Sequence, residues 1–502
     1  MNELSRRTFL KSAVAAGVLP AAGTGRLLAA GDRPNVISIC CDTWSAHWVG
    51  AYGNQQIRTP SVDALAARSA VFQQAFAEAL PTVPARRAIY TGRRVFPSRM
   101  VLQQGDANRI RGWHQLYLED VTLAESMRDA GYTTALVSDL LHQFRPGMNF
   151  HRGFMGWRWI RGQEGDSYET GPTKDIDPAK YLHPSQPGGA GGPPPRPGGP
   201  GGPPPLIKQY LTNRQYWKTE DDWPCARLFR EAGQWLDDNV EDSQPFFLQI
   251  ECYSPHEMWD PPEDYYRLYM KSDYSGPRLI SPPVFTRNLS AVEFEHVRAL
   301  YNGMITFTDT HIGKFLEKVE KTGLMNNTII LFYADHGCMM GEQGQLRKDE
   351  GLIRTQVTRV PLILYDPRES WNGRRIGGLV QDTDIMPTLL DMIGSQVPSR
   401  VTGESLRPLA SSGGPSRREW IVSGWGDHGA IRTPEWLYIG RWNPGETFED
   451  IYDLKADPLE LKNIAPEKPD LVKDFRARLK EYVDSGWSVT DGTFVRVLSE
   501  QG

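Results

Sequence analysis

The stretch that decides the fold reads Leu80-Pro81-Thr82-Val83-Pro84-Ala85-Arg86-Arg87-Ala88-Ile89-Tyr90-Thr91-Gly92-Arg93. Proline is favoured in the first turn of a helix and glycine just past its last turn, so Pro84 and Gly92 predict a helix between them. Thr82 then lies at or just before the helix N-terminus, where free N–H groups and the helix dipole attract an anion. Arg86 follows one turn later and can reach the same point. A capped surface helix is the alternative explanation of this stretch taken alone.

Short apolar runs rich in β-branched residues recur along the chain and alternate with helical patterns. Four of them are residues 35–40, 133–137, 245–251 and 327–334. This repeated order predicts an α/β fold, with a mixed, mostly parallel sheet sandwiched by helices. In such sheets the functional side chains lie at the carboxyl ends of the strands, and Asp42 and Asp335 follow two of these runs.

Two further patterns predict the helices and the domains. Thr59-Pro60-Ser61 predicts the start of a helix whose apolar residues keep helical spacing as far as Phe76. Late in the chain the pattern changes to two short strands and a helix, at residues 420–423, 437–440 and 468–483. We therefore predict a catalytic α/β domain over residues 31–400 and a smaller C-terminal α+β subdomain over residues 401–502.

The composition argues against several classes of protein. With 56 Lys and Arg against 61 Asp and Glu, the 502 residues carry a net charge of −5, without the basic surplus typical of nucleic-acid-binding proteins. Beyond the N-terminus, no run of about 20 apolar residues predicts a membrane span. The five cysteines are few and odd in number, and we interpret most of them as small buried side chains without a disulfide framework.

The first 30 residues have the pattern of a twin-arginine export signal. Ser5-Arg6-Arg7-Thr8-Phe9-Leu10-Lys11 precedes an apolar, alanine-rich run, and small residues stand at Ala29-Ala30. We predict that residues 1–30 direct export and that the protein is periplasmic or secreted. An ordinary basic terminus is the alternative.

Residues 187–205 consist almost wholly of proline and glycine. Such a segment has almost no apolar side chains to bury, so we predict a disordered surface insertion. The insertion interrupts a domain and does not have to separate two domains.

A candidate metal site follows from the residues at two strand ends. Asp335-His336-Gly337 comes directly after an apolar run, and a carboxylate beside an imidazole makes half of a site for a divalent cation. Asp42 and Thr82 can complete that site. Each Asp taken alone is more often a loop or cap residue, so the prediction depends on their combination.

The stretch around Thr82 resembles the signature of the sulfatase family within the alkaline phosphatase superfamily, Cys/Ser-x-Pro-Ser/Ala-Arg followed by Thr-Gly. Further stretches resemble this family in the same order along nearly the whole mature chain. They are residues 35–53, with Asp42 before Gly50-Ala51-Tyr52-Gly53; Pro245-Phe246-Phe247 with Ser254-Pro255-His256; Asp335-His336-Gly337 with Gly341-Glu342-Gln343-Gly344 and Lys348; residues 383–391; and residues 452–458. The resemblance implies the alkaline-phosphatase/sulfatase-like fold.

The resemblance also implies the metal site and the nucleophile. Asp42, Asp335 and His336 would be metal ligands, and Thr82 would give the fourth ligand and the nucleophilic oxygen. Arg86 would orient this oxygen and balance charge. We predict one divalent ion, Ca²⁺ or Mn²⁺ because of the carboxylates, with Zn²⁺ also compatible with the imidazole.

Other matching residues are assigned to the substrate. Lys348 and His256 would contact the ester oxyanion or protonate the leaving group. His142 stands where many sulfatases have a Gly-Lys-x-His segment, and it is a candidate substrate contact or an ordinary structural histidine. The polar run 161–164 either shapes the substrate pocket or anchors a loop. A second metal, as in the nucleotide pyrophosphatase branch, would need residues such as Glu251, His256 and His428.

Thr82 is the main departure from the family pattern. The family's cysteine or serine is oxidised to formylglycine, but oxidation of threonine gives a ketone, so formylglycine is not expected here. The set Asp, Thr, Asp and His resembles the phosphonate monoester hydrolase and phosphodiesterase branch. A metal-activated Thr82 can form a phosphothreonine that water cleaves, whereas a sulfothreonine lacks the elimination route of the formylglycine hemiacetal.

We therefore predict an exported, metal-dependent hydrolase of small-molecule or glycan sulfate or phosphate esters, with phosphate mono- or diesters slightly favoured. One alternative is a sulfuric ester hydrolase of the arylsulfatase type that works without formylglycine. Another is a non-catalytic protein that binds anionic glycans. Nucleic acid is not an expected partner.

Deleting residues 187–205 is expected to leave folding and activity nearly unchanged, because a proline- and glycine-rich segment has little to contribute to a core. Thermal unfolding and ester turnover of the deletion variant, compared with the full chain, measure this effect. An insoluble deletion product would contradict the prediction.

Overall fold

The computed structural model describes residues 33–98, 111–145, 147–187, 189, 205–239, 244–414, 416, 418–442 and 448–486. The predicted export signal lies outside these residues, and so does most of the predicted insertion, whose last residue, Pro205, begins a helix. No described helix combines the length and the apolarity needed to cross a membrane. All five cysteines are buried as free thiols, which confirms the interpretation of most of them as small buried side chains.

The strands, in chain order, are β1 (Asn35–Cys41), β2 (Ala70–Phe76), β3 (Thr133–Ser138), β4 (Gly156–Trp159), β5 (Phe246–Cys252), β6 (Thr328–Ala334), β7 (Met339–Met340), β8 (Leu346–Arg347), β9 (Leu362–Tyr365), β10 (Arg374–Gln381), β11 (Ile421–Trp425), β12 (His428–Arg432), β13 (Trp436–Arg441) and β14 (Glu449–Asp453). The helices are α1 (Pro60–Ala66), α2 (Thr82–Thr91), α3 (Leu123–Asp129), α4 (Leu141–Phe144), α5 (Pro205–Arg214), α6 (Pro224–Asn239), α7 (Glu263–Arg267), α8 (Ala291–Lys321), α9 (Thr355–Thr358), α10 (Ile385–Met392), α11 (Arg407–Ser412) and α12 (Pro469–Gly486).

The central sheet has the order β10-β2-β9-β6-β1-β5-β3-β4 among the described strands. Strand β9 is antiparallel to both of its neighbours, and every other pairing in this sheet is parallel. The middle strands β1, β5 and β6 are almost completely buried, as expected for parallel strands covered on both faces. The prediction of a mixed, mostly parallel α/β sheet is confirmed.

The helix that carries the deciding stretch is α2. Its last residue is Thr91, and Gly92 caps it. The φ of Gly92, 62°, lies in the left-handed region that glycine adopts without strain. All ten of its residues are buried. A capped surface helix is therefore the wrong explanation, and the prediction of a helix between Pro84 and Gly92 is confirmed.

The predicted helix that continues to Phe76 is wrong. Helix α1 ends at Ala66, and the later part of the pattern forms strand β2. Val71, Phe72, Ala75 and Phe76 are all buried, so the strand lacks the in–out alternation that distinguishes a strand from a helix. Apolar residues at these positions match helical spacing only because both faces of the strand are covered.

A second, antiparallel sheet of order β11-β12-β13-β14 forms the later part of the described chain, with α12 packed against it. This agrees with the predicted C-terminal α+β unit, whereas its boundary at residue 400 stays a prediction. The sheet is joined to the segment before α2: Leu80 donates its N–H to the carbonyl of Gly424, and Gly424 donates to that of Glu78. The C-terminal sheet therefore supports the residues that lead into α2.

Replacing Gly424 by alanine is expected to destabilise this junction, because the new Cβ would lie 1.9 Å from the buried ring of Phe96. Overpacking of this kind costs about 1–3 kcal/mol. Urea unfolding of Gly424→Ala measures the change in the free energy of unfolding. The matched control is Gly377→Ala, because an added Cβ there meets nothing within 4 Å. Equal stability of the two variants would contradict the prediction.

Candidate active site

Several polar side chains meet at the carboxyl ends of the central strands. Asp42 follows β1, and Asp335 and His336 follow β6. The backbone continues the parallel pairing at this edge, since Asp42 donates its N–H to Cys252 at 2.9 Å and Asp335 donates to Cys41 at 3.2 Å. The sheet itself therefore fixes where the two carboxylates stand.

Asp42, Asp335 and His336 form a buried cluster whose possible ligand atoms all lie within 4.8 Å of one another. His336 Nε2 is 3.5 Å from Asp335 Oδ2 and 3.9 Å from Asp42 Oδ1. The hydroxyl of Thr82, at the start of α2, is 3.5 Å from the same nitrogen. The structure thus brings together the four residues predicted as ligands, and their role in binding metal remains a prediction.

His336 has the form that a metal ligand requires. Its Nδ1 lies 3.0 Å from the carbonyl of Gly337, and a carbonyl only accepts, so Nδ1 carries the hydrogen and Nε2 keeps its lone pair. Burial and the nearby Lys348 lower the pKa of His336 to about 3, so the ring is neutral at ordinary pH. The lone pair of Nε2 faces the two carboxylates.

Three buried carboxylates share the single guanidinium of Arg86. Its Nη1 donates to Asp42 Oδ2 at 3.0 Å and to Asp335 Oδ2 at 2.5 Å, and its Nε donates to Glu251 Oε2 at 2.9 Å. All four side chains are fully buried. A single guanidinium therefore faces three buried carboxylates, with Lys348 as a further cation beside Asp42, and crowding buried carboxylates in this way is costly. The cluster therefore fits a divalent cation.

The ionisation of the two aspartates reflects this crowding. Burial would raise the pKa of Asp42, but Arg86 and the other cations around it hold that pKa below its usual range. For Asp335, burial and the repulsion of Asp42 raise the pKa well above its usual range. The pair carries more negative charge than its surroundings favour, and a bound cation would relieve this repulsion.

Lys348 and His256 border the cluster. Lys348 Nζ donates to Thr43 Oγ1 at 3.0 Å, and this hydroxyl donates to Asp42 Oδ1 at 2.7 Å. His256 Nδ1 lies 2.7 Å from the carbonyl of Glu257, and burial together with Lys348 lowers the pKa of His256. Both side chains are thus held beside the cluster, where contact with a substrate remains a prediction.

Among the described residues, His142 makes no hydrogen bond or ion pair to the cluster. Its Nε2 is instead 3.0 Å from Glu164 Oε2, and its ring lies edge-on to Trp113. Glu164 is buried, which would raise its pKa, but His142 and His256 lower the pKa of Glu164 to about 2. Glu164 therefore connects the two predicted substrate-binding histidines electrostatically.

Of the two purposes that the sequence left open for the polar run 161–164, the structure shows the anchoring of a loop, and a part in shaping the substrate pocket stays a prediction. Arg161 anchors the loop through two hydrogen bonds to Asp166, at 2.6 and 2.7 Å, whereas Glu164 reaches His142. Nothing in the local sequence distinguishes the two roles, because the partner of Glu164 is 22 residues away.

The residues considered for a second metal are engaged elsewhere. Glu251 binds Arg86 and accepts a hydrogen bond from Tyr90 at 2.9 Å, and His428 faces Glu350. Within the described residues, the group of Asp42, Asp335 and His336 is the single metal-ligand cluster found. Binding of one ion remains a prediction.

Together with this fold and cluster, the family match identifies an ester hydrolase of the sulfatase type. Residues 34–395 match the Sulfatase family, and residues 341–485 match the N-sulphoglucosamine sulphohydrolase C-terminal family. The chain belongs to the sulfatase family, which confirms the predicted resemblance and the prediction of an enzyme.

The similarity to individual proteins extends over most of the chain. An arylsulfatase of Clostridium perfringens is 26% identical over 494 residues, which cover 90% of this chain and 96% of the relative. An N-acetylglucosamine-6-O-sulfatase of Bacteroides thetaiotaomicron is 25% identical, with 90% and 87% covered. Among solved structures, the phosphonate monoester hydrolase of Agrobacterium radiobacter superposes with a TM-score of 0.69 at 21% identity, with 90% and 96% covered.

His142 and Glu164 are expected to act as a pair, because their side chains are 3.0 Å apart and buried. We expect His142→Gln and Glu164→Gln each to raise KM, and their effects on kcat/KM to couple by at least about 0.5 kcal/mol. Kinetics of both single variants and the double variant measure this coupling.

The matched control is His311→Gln. His311 lies on helix α8, and its Nε2 is 3.1 Å from Glu220 Oε1 in a similar pair. This control is expected to keep the parent kcat/KM. Additive effects of His142→Gln and Glu164→Gln would contradict the pairing.

Proposed function

We propose that this protein is an exported, metal-dependent ester hydrolase that uses Thr82 as its nucleophile and prefers phosphate mono- or diesters. One observation carries the proposal. The Thr82 hydroxyl stands at the N-terminus of the buried helix α2, 3.5 Å from the free nitrogen of His336. No cysteine or serine stands there that could become formylglycine.

Asp42, Asp335, His336 and Thr82 would hold one divalent ion, Ca²⁺ or Mn²⁺ with Zn²⁺ also compatible. Such an ion lowers the pKa of a bound hydroxyl and polarises an ester oxygen. The crowding of carboxylates around Arg86, which raises the pKa of Asp335, and the lone pair on His336 Nε2 support this assignment.

The reaction divides into two displacements. Thr82 Oγ attacks phosphorus and loses its proton, the bond from phosphorus to the leaving oxygen breaks, and that oxygen takes up a proton. Water then attacks the phosphothreonine, the bond from phosphorus to Thr82 Oγ breaks, and the threonine hydroxyl is restored. Each displacement depends mainly on positioning and on stabilising charge.

The surrounding residues supply that positioning and stabilisation. Arg86 holds the carboxylates and contacts the carbonyl of Thr82 at 3.3 Å, which fixes the start of the helix. The N–H groups of the first turn of α2 favour the negative charge that develops there. Lys348 and His256 would contact the ester oxygens or protonate the leaving group.

The preference for phosphate follows from the intermediate. A phosphothreonine can be hydrolysed within the same arrangement of charges, whereas a sulfothreonine has no hemiacetal hydroxyl through which to eliminate sulfate. The resemblance to a phosphonate monoester hydrolase supports this preference. A sulfuric ester hydrolase without formylglycine is the second candidate, and the similarity to an arylsulfatase and to an N-acetylglucosamine-6-O-sulfatase favours it.

Export belongs to the same proposal. Arg6-Arg7 and the apolar run that follows support passage through the twin-arginine pathway. That pathway carries folded proteins, so the metal would already be bound before export. The substrate would then be met in the periplasm or outside the cell.

Thr82→Ala is expected to lower kcat at least about a thousandfold, because the nucleophile is lost while the other ligands remain. The measurement compares turnover of an aryl phosphate monoester, an aryl phosphodiester and an aryl sulfate with added Mn²⁺, Ca²⁺ or Zn²⁺. A chelator should abolish turnover, and the metal should restore it.

Thr91→Ala is the matched control, since Thr91 lies on the same helix and its hydroxyl donates to the carbonyl of Arg87, away from the cluster. Metal content measured on both variants separates loss of the nucleophile from loss of the metal. Full activity of Thr82→Ala would exclude Thr82 as the nucleophile. Faster turnover of the aryl sulfate would select the second candidate.

A further inference from the structure

A cavity lies between the central sheet and the C-terminal sheet. Its volume is about 680 Å³, and its walls include His47, Arg359 and Arg432. His47 comes from the turn after β1, Arg359 directly follows α9, and Arg432 ends β12. Three parts of the chain that are distant in sequence therefore contribute basic side chains to one space.

The described residues that line this cavity include no carboxylate, although four of them are basic: His47, Arg359, Arg418 and Arg432. Arg418 is neutralised by the buried Asp384. Among the described residues, the one ion-pair partner of Arg432 is the fully buried Glu460, at 4.0 Å, and Arg432 also donates to the Thr355 hydroxyl at 2.6 Å. The positive charge therefore faces the cavity while the compensating carboxylates lie outside its lining.

Arg359 is the least compensated of these residues. Its Nε donates to the carbonyl of Gln73 at 2.7 Å, and its guanidinium lies 5.9 Å from the centre of the Tyr52 ring. No ion pair to Arg359 is found within the described part of the chain. A guanidinium has five N–H donors, so most of its capacity to bind an anion is left for the cavity.

The ionisation of the three groups agrees with a shared, uncompensated positive field. Burial, Arg359 and Arg432 lower the pKa of His47 to about 4. Burial also lowers the pKa of Arg359, and burial and Arg359 lower that of Arg432 to about 10. A partly enclosed space lined by one sign of charge concentrates ions of the opposite sign.

This cavity is separate from the candidate active site. None of Asp42, Thr82, Arg86, Asp335, His336 and Lys348 lines it.

We propose that this cavity binds a tetrahedral dianion, sulfate or phosphate, either free or carried on a sugar, between Arg359, Arg432 and His47. Guanidinium groups match the oxygens of such anions with paired hydrogen bonds. The proposal does not depend on which ester the active site hydrolyses.

The test follows the ring signals of His47 by NMR in the metal-loaded protein labelled at its ten histidines. His47→Gln assigns the signal. Inorganic sulfate and glucose 6-sulfate are titrated in turn, and binding is expected to raise the pKa of His47, because the anion stabilises the imidazolium. His47 lines this cavity, whereas none of the candidate active-site residues does, so its signal is the direct probe, and the loss of the response in Arg359→Gln assigns that response to this cavity.

Arg359→Gln is expected to weaken anion binding at least about tenfold and to leave kcat/KM without added anion unchanged. If Arg359→Gln does not fold, anion binding is measured on Arg359→Lys instead. This variant keeps the charge but loses the paired donors of the guanidinium, so its anion binding is also expected to weaken. The matched control is Arg128→Gln, because Arg128 is exposed and pairs with its neighbour Asp129, and it does not line this cavity.

Tighter binding of sulfate would identify the ligand as a free anion. Tighter binding of glucose 6-sulfate would identify the ligand as an anion carried on a sugar. A His47 signal that responds to neither would overturn the proposal. So would equal affinity of Arg359→Gln and the parent protein.

Discussion

The structure depends on the buried guanidinium of Arg86. Through two of its nitrogens it contacts Asp42 after β1, Glu251 at the end of β5 and Asp335 after β6, and it is itself carried by α2. It therefore ties three neighbouring strands and the helix with Thr82 into one unit. Removing one partner of a buried ion cluster costs about 3–5 kcal/mol, so Arg86 stabilises the fold as well as holding the carboxylates of the site in place.

A cation bound at the same cluster would couple metal binding to stability. A protein that buries more negative charge than positive charge is stabilised by whatever cation binds the folded state alone. The unfolded chain does not hold Asp42, Asp335 and His336 together, so the free energy of binding adds to that of folding. The geometry around Arg86 thus links the fold of the sheet to the function of its edge.

The sequence predicted the parts that rest on strong local patterns. The apolar runs around β1, β3, β5 and β6 and the proline-to-glycine helix α2 were each recognisable from a few adjacent residues. The continuation to Phe76 was wrong, because β2 is buried on both faces and loses the alternation of a strand.

Contacts between residues that are far apart along the chain could not be predicted from the sequence. Glu251 was considered as a ligand for a second metal, whereas it pairs with Arg86. In the sequence, nothing distinguishes Glu164 from its loop neighbours, and only the folded structure shows its contact with His142. The cavity around Arg359 is likewise built from segments that are widely separated along the chain. The two hydrogen bonds that join Leu80 and Glu78 to Gly424 belong to the same kind of contact. During synthesis, α2 cannot gain this support until Gly424 has left the ribosome, more than three hundred residues later. The N-terminal end of the helix is therefore among the last parts of the molecule to be completed.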